Sequence, residues 1–330
     1  MIIDVHGHIS PPEMLKKFPM PPSLGDIAGM IEQKAAVGIG LTICGSPVGG
    51  GAMMRVPGVD NYAQTVDQLK AFHAWLSETC HEHEGSLKAY VYTNPYGGDA
   101  LIESAAETLK DDAFVGLIVN TSVNGRFLDS DDADPFFAMA AEADVPVLLH
   151  PPAAPAGSEQ VGDMRLVEQV GRFNDVTMGV ASFVFAGWLD RYPTLRVIAA
   201  TAGGAIAQLP AKLDVAYQPR HWGPPPGVKA GGPPGGPPGG PPPGMAFENK
   251  ISGKPSEYLR RIYVDTASPS SATMAANLEA VGPANMMFGT DAPPLSSPLA
   301  DVVDAIRKLP ITQDEIDGIL GDNARRVFRL

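Results

Sequence analysis

Short apolar, β-branched runs recur along this chain with a helix-patterned stretch after each, and that alternation constrains the fold more than any other feature. The runs fall at Ile2–Val5, Gly40–Cys44, Leu87–Tyr92, Phe114–Val119, Val147–Leu149, Arg196–Ala200, Arg261–Val264 and Met286–Phe288. They are too short for core helices and too continuously apolar to leave one face in water, which is the pattern of strands covered on both sides of a parallel sheet. Helical stretches at Leu24–Val37, Tyr62–His81, Ala100–Leu109, Pro135–Ala143, Met164–Phe173, Phe183–Tyr192, Gly203–Tyr217 and Ala272–Val281 separate them, and Leu299–Leu309 and Gln313–Leu320 close the chain. An α/β chain of this pattern is expected to close as a distorted (β/α)8 TIM barrel. A barrel absorbs all 330 residues as a single domain, residues 1–330.

One segment breaks the rhythm. Gly223–Gly244, between the sixth and seventh strands, repeats Gly-Gly-Pro-Pro. Its period excludes a collagen helix, which needs glycine at every third position, and its composition cannot bury a core. A low-complexity, flexible insert with some polyproline character is expected, either a tolerated surface loop or a lid near the barrel mouth.

The formal charge of −13, from 24 basic and 37 acidic residues, disfavours partners such as nucleic acid or an anionic membrane surface. No apolar run is long enough to span a bilayer and no basic leader precedes the first strand. Cys44 and Cys80 are too few for a disulfide framework, so a reducing cytoplasm is the expected compartment.

Chemistry concentrates where the apolar runs end. The first closes on His6-Gly7-His8, where alternate side chains of an extended strand share a face and can offer two imidazoles to one ion. The fifth closes on His150 and the eighth leads into Asp291. In a parallel barrel the C-terminal strand ends form one face, so His6, His8, His150 and Asp291 are candidate ligands of one divalent metal with open positions for water or substrate. His73, His81, His83 and His221 read instead as packing or solvated residues. The Gly49–Met54 loop, with small and flexible side chains, is expected to line an apolar cavity.

Longer motifs carry a resemblance. They are His6-Gly7-His8-Ile9-Ser10-Pro11, Phe114-Val115-Gly116-Leu117, His150-Pro151-Pro152, Gly187-Trp188-Leu189-Asp190-Arg191-Tyr192-Pro193-Thr194-Leu195, Tyr263-Val264-Asp265-Thr266, Phe288-Gly289-Thr290-Asp291 and Ile319-Leu320-Gly321-Asp322-Asn323-Ala324. Together they resemble the metal-dependent amidohydrolase superfamily, in the branch that includes aminocarboxymuconate-semialdehyde decarboxylase and resorcylate-type decarboxylases. The resemblance implies a zinc or manganese ion held by His6, His8, His150 and Asp291, with Asp291 as the catalytic proton carrier. It also implies a small, carboxylated substrate gripped by Arg220, although the residue alone reads equally well as a solvated arginine. It leaves a homodimer open as the assembly.

The chain departs from that branch at the sixth strand, where His-Gly-Gly-Gly is replaced by Thr201-Ala202-Gly203-Gly204. Threonine can hydrogen-bond a substrate or water but cannot act as a base near neutral pH. The leading expectation is a lyase performing nonoxidative decarboxylation. Three alternatives stay open: a hydrolase of an ester, lactone or amide; iron-based oxygenase chemistry, with Asp265 helping to hold a second ion; and a non-enzymatic scaffold that keeps the ligands by descent.

Overall fold

The computed structural model describes residues 1–217, 249–268, 270–295 and 297–330. Arg220, His221 and the Gly223–Gly244 insert therefore lie outside the described residues. Eight parallel strands form one sheet in sequence order: β1 Ile2–His8, β2 Ile39–Gly45, β3 Leu87–Tyr92, β4 Phe114–Asn120, β5 Val147–His150, β6 Val197–Ala199, β7 Tyr263–Asp265 and β8 Met286–Met287. The ends of the sheet meet, because Val5 N donates to Phe288 O at 2.9 Å and Asp291 N donates to His6 O at 2.8 Å. The result is a (β/α)8 barrel with its helices outside. A small antiparallel hairpin, Ser122–Val123 against Arg126–Phe127, sits beyond β4. Among the described residues no helix is long and apolar enough to cross a membrane.

Alternation along the strands divides the core in two. Ile3, Val5, Leu41, Ile43, Tyr90, Ile118, Leu148, Ile198 and Met287 fill the barrel interior, while Leu117, Val119, Val147, Leu149 and Val197 pack outward against helices. Gly116 makes room for the interior tyrosine, since a Cβ there would lie 3.0 Å from the Tyr90 ring. Ala324, Val327 and Phe328, from a C-terminal helix running further than its sequence pattern suggests, join this interior cluster.

Three helical expectations are corrected. The stretch read as Met164–Phe173 is the start of one continuous helical run, Met164–Leu166, Val167–Gly171 and Arg172–Phe185, which passes through a wide turn and stops before Gly187 at φ 78°. The stretch read as Phe183–Tyr192 is divided between the end of that run and a separate short helix, Trp188–Arg191. The stretch read as a helix from Gly203 begins only at Pro210, because Thr201, Ala202, Gly203 and Gly204 all have positive φ and cannot enter a right-handed helix.

Candidate metal centre

β1 carries an extra residue where it turns towards the site. Asp4 pairs with Thr42 but Gly7 pairs with Cys44, so three steps on β1 match two on β2. Such a bulge shifts which residues face inward. Ile3 and Val5 point into the barrel below it, and His6 and His8 meet at the mouth above it. Gly7, between them, has no room for a side chain: its Cβ would fall 2.5 Å from Thr42 Cγ2.

His6, His8 and His150 stand edge to face around one point, with ring centroids 4.9 to 5.0 Å apart. Their outer nitrogens are all committed. His6 Nδ1 is 2.6 Å from Asp265 Oδ2, His8 Nδ1 is 3.0 Å from Gly45 O, and His150 Nδ1 is 2.7 Å from Pro151 O. Each of those partners can only accept, so each Nδ1 carries the proton and each Nε2 is directed inward. The two Nε2 atoms of His6 and His8 lie 3.1 Å apart. Asp291 Oδ1 lies 3.0 Å from His8 Nε2 and 3.6 Å from His6 Nε2. All four ligand atoms lie within 4.8 Å of one another.

Convergent imidazole lone pairs in a buried site repel unless a cation or proton lies between them. Burial alone would lower the His6 pKa, but the Asp291 charge, helped by Asp265, lifts it to about 9. His150 moves the other way: burial and then the neighbouring His8 and His6 hold it well below its ordinary value. Its Nε2 is buried with no hydrogen-bond partner among the described residues. Despite its burial, Asp291 is held far below the usual carboxylate range by His6 and His8. His6 thus holds a proton that a metal would displace, and together with one ionised carboxylate and the orphaned inward lone pair of His150 this fits a divalent cation, while the open side of the cluster suits a catalytic site.

Two carboxylates that do not join the cluster hold it in shape. Asp265, at the end of β7, accepts from His6 and from the backbone N–H groups of Thr201, Ala202 and Ala267. It is thereby engaged behind His6, and the idea that it helps hold a second ion does not fit. Asp4 is fully buried and accepts from His6 N, Thr290 N, the Thr290 hydroxyl and Lys34 Nζ, the last at 2.7 Å. It ties β1 to the segment that carries Asp291, which itself has φ 54°. The sequence offers one weak signal for Asp4 and Asp265, namely a carboxylate inside an otherwise apolar strand.

The cluster opens into a cavity of about 740 Å³. His8, His150, Asp291 and Thr201 line it, with Val48, Met53, Met54, Phe173 and Leu295 as apolar walls. The Gly49–Met54 loop thus contributes as expected through its methionines. Thr201 is held at φ 54°, a costly conformation for a β-branched residue, by its bond to Asp265. Arg172 and Glu168, from the run that includes the wide turn, also line the cavity; neither was singled out from sequence.

A model of the amidohydrolase family matches residues 3–330. The chain belongs to that family. Among curated proteins it is 30% identical over 134 residues to the decarboxylase orsB of Emericella nidulans, covering 37% of this chain and 40% of that protein. It is 23% identical over 212 residues to the 2-amino-3-carboxymuconate-6-semialdehyde decarboxylase of Dictyostelium discoideum, covering 63% of this chain and 52% of that protein. The matches thus span about half or less of these curated relatives. Over its whole length the fold is similar to 5-carboxyvanillate decarboxylase LigW from Sphingomonas paucimobilis, with TM-score 0.76, 19% identity, and 100% of this chain and 99% of that one covered. A dihydroxybenzoic acid decarboxylase from Polaromonas sp. JS666, solved with manganese and 2-nitroresorcinol, gives TM-score 0.75 at 17% identity, covering 100% and 97%.

Proposed function

We propose that this protein is a metal-dependent decarboxylase that removes carbon dioxide, without oxidation, from a small carboxylated aromatic or unsaturated compound in the cytoplasm. The observation that carries the reading is the inward convergence of three imidazole Nε2 atoms and the Asp291 carboxylate at one side of a largely apolar cavity. His6, His8, His150 and Asp291 would hold the divalent ion, with zinc and manganese both suited to this nitrogen and oxygen set. When bound, the ion supplies positive charge that orients the substrate's oxygen atoms and draws electron density from its ring.

Asp291 is the residue assigned to proton transfer. Its side chain is 22% exposed and borders the cavity, so its carboxyl can reach a substrate carbon. Ionised at rest, Asp291 first takes up a proton from an acidic group of the substrate or from solvent. Delivering that proton to the substrate carbon forms the C–H bond from a π pair and returns Asp291 to its carboxylate; the C–C bond to the departing carboxylate then breaks, its electron pair restores the π bond, and carbon dioxide leaves. Val48, Met53, Met54 and Phe173 favour a flat apolar ring and exclude water from the reacting carbon. Thr201 borders the same cavity and can hydrogen-bond a substrate oxygen. Its hydroxyl cannot act as a base near neutral pH, so neither a hydrolase nor a decarboxylase here can use a base at that position, and the proton chemistry falls to Asp291.

The test is carbon dioxide release by manganese-loaded protein from a panel of hydroxybenzoates and unsaturated dicarboxylates, with oxygen uptake recorded in parallel. One carbon dioxide per substrate without oxygen uptake is expected. Cleavage of esters or lactones with no carbon dioxide, or turnover that consumes oxygen, overturns the reading.

A further inference from the structure

The cavity contains a cation that the metal cluster does not use. Arg172 begins the Arg172–Phe185 stretch, directly after the wide turn Val167–Gly171, and its side chain borders the same space as His8, His150 and Asp291. Its Nη2 donates to Met53 O at 2.7 Å, which fixes the guanidinium against the methionine loop. Nε is buried and has no hydrogen-bond partner among the described residues. Arg172 also forms no ion pair among them, although Glu168 and Asp291 are near enough for their charges to act on it. Burial lowers its pKa, yet a guanidinium stays protonated.

The guanidinium is partly buried and has no ion-pair partner among the described residues, so an anion in the cavity can meet its open edge with a charge-assisted hydrogen bond. The chain supplies no such anion at this position among the described residues, and the cavity is where one arrives. Resting on the decarboxylase reading, we propose that Arg172 is the substrate anchor, binding a carboxylate that is retained through the reaction rather than the one that leaves. The departing carboxylate loses its negative charge as carbon dioxide forms, so a fixed cation placed on it would stabilise the ground state more than the transition state. A cation on a retained carboxylate stabilises both equally and positions the ring. The assignment makes the preferred substrate a dianion with two carboxylates, and it gives Arg172 the role that the family resemblance implies for Arg220.

Binding to the manganese-loaded protein tests this by calorimetry. The probes are 2-hydroxybenzoate and the same ring with a second carboxylate para or meta to the hydroxyl. At least one dicarboxylate is expected to bind about tenfold or more tightly than the monocarboxylate, the range of a charge-assisted hydrogen bond. Arg172→Gln should erase that preference while changing monocarboxylate Kd less than about twofold, and Arg172→Lys should restore part of it. Metal content and melting temperature, measured on each variant, identify any that has lost the fold, and the lysine variant keeps the test alive if the glutamine variant has. No preference in the unmodified protein, or equal weakening of all ligands in both variants, overturns the proposal. The two readings separate: carbon dioxide release with no Arg172-dependent preference defeats the anchor alone, whereas the preference without carbon dioxide release defeats the decarboxylase reading and leaves an Arg172 dicarboxylate site.

Discussion

His73 and the three histidines at the barrel mouth are similarly buried, yet their surroundings make them chemical opposites. His73 sits in the Val66–Glu82 helix against Phe72 and Phe114, and its Nε2 accepts the Tyr92 N–H at 3.1 Å. That bond occupies its lone pair, and burial among apolar rings lowers its pKa from 6.5 to about 4. At the mouth, acceptors hold the Nδ1 side of each ring and the Nε2 lone pairs face one another beside Asp291. Burial therefore does not make a histidine a ligand. What decides is which nitrogen the fold has already engaged.

The comparison can be broken most forcefully at Asp291. Asp291→Asn keeps the size but removes both the charge that offsets the imidazoles and the capacity to take up and pass on a proton, so turnover should fall by about 10²–10⁴-fold. Full activity in a metal-loaded variant would detach the chemistry from this cluster.

The polar support of the mouth should be next in effect. Asp4→Ala leaves Lys34 buried without its partner and frees the Thr290 segment, at a cost of roughly 3–5 kcal/mol in denaturant unfolding. A change below about 1 kcal/mol would mean that this pair does not hold the two strands together.

His73 sharpens the contrast through pH. Its folded pKa lies below its unfolded one, so the unfolded chain binds more protons: its contribution is complete above pH 6.5 and is lost as pH falls from 6.5 towards about 4. The loss is of order 3 kcal/mol. His73→Gln can still accept from Tyr92 but does not titrate, so its stability should fall less than that of the unmodified protein over that window. Parallel curves would assign the acid sensitivity elsewhere.

Asp265→Asn sets an amide donor against the N–H groups of His6 and Thr201 and should reduce manganese affinity by about 10–100-fold in metal titrations, with a loss of stability of roughly 1–3 kcal/mol. The smallest effect belongs to Thr201. Thr201→Gly relieves the positive φ and should raise stability by roughly 1 kcal/mol, measurable as a small increase in melting temperature.

The sequence by itself determined the strands and the ligand candidates, because both depend on local pattern. Apolar runs of strand length have to be buried on two faces, and the residues that end those runs then come together at the barrel mouth. The C-terminal helix was harder to bound, since Ala324, Val327 and Phe328 owe their helical extent to packing with the barrel interior. The Gly203-Gly204 pair in the Thr201–Gly204 stretch is a turn signal that argues against starting a helix at Gly203, but positive φ at Thr201 and Ala202 is not legible locally, because bonds from their N–H groups to the distant Asp265 hold it there. Only the tertiary structure decided that Asp265 backs His6 rather than joining the ligands, that Asp4 pairs with Lys34, and that Arg172 enters the cavity. Each of those outcomes depends on partners distant in sequence. Charge and hydrogen-bonding capacity are written in the residue, but what satisfies them is set by which elements the fold brings within reach.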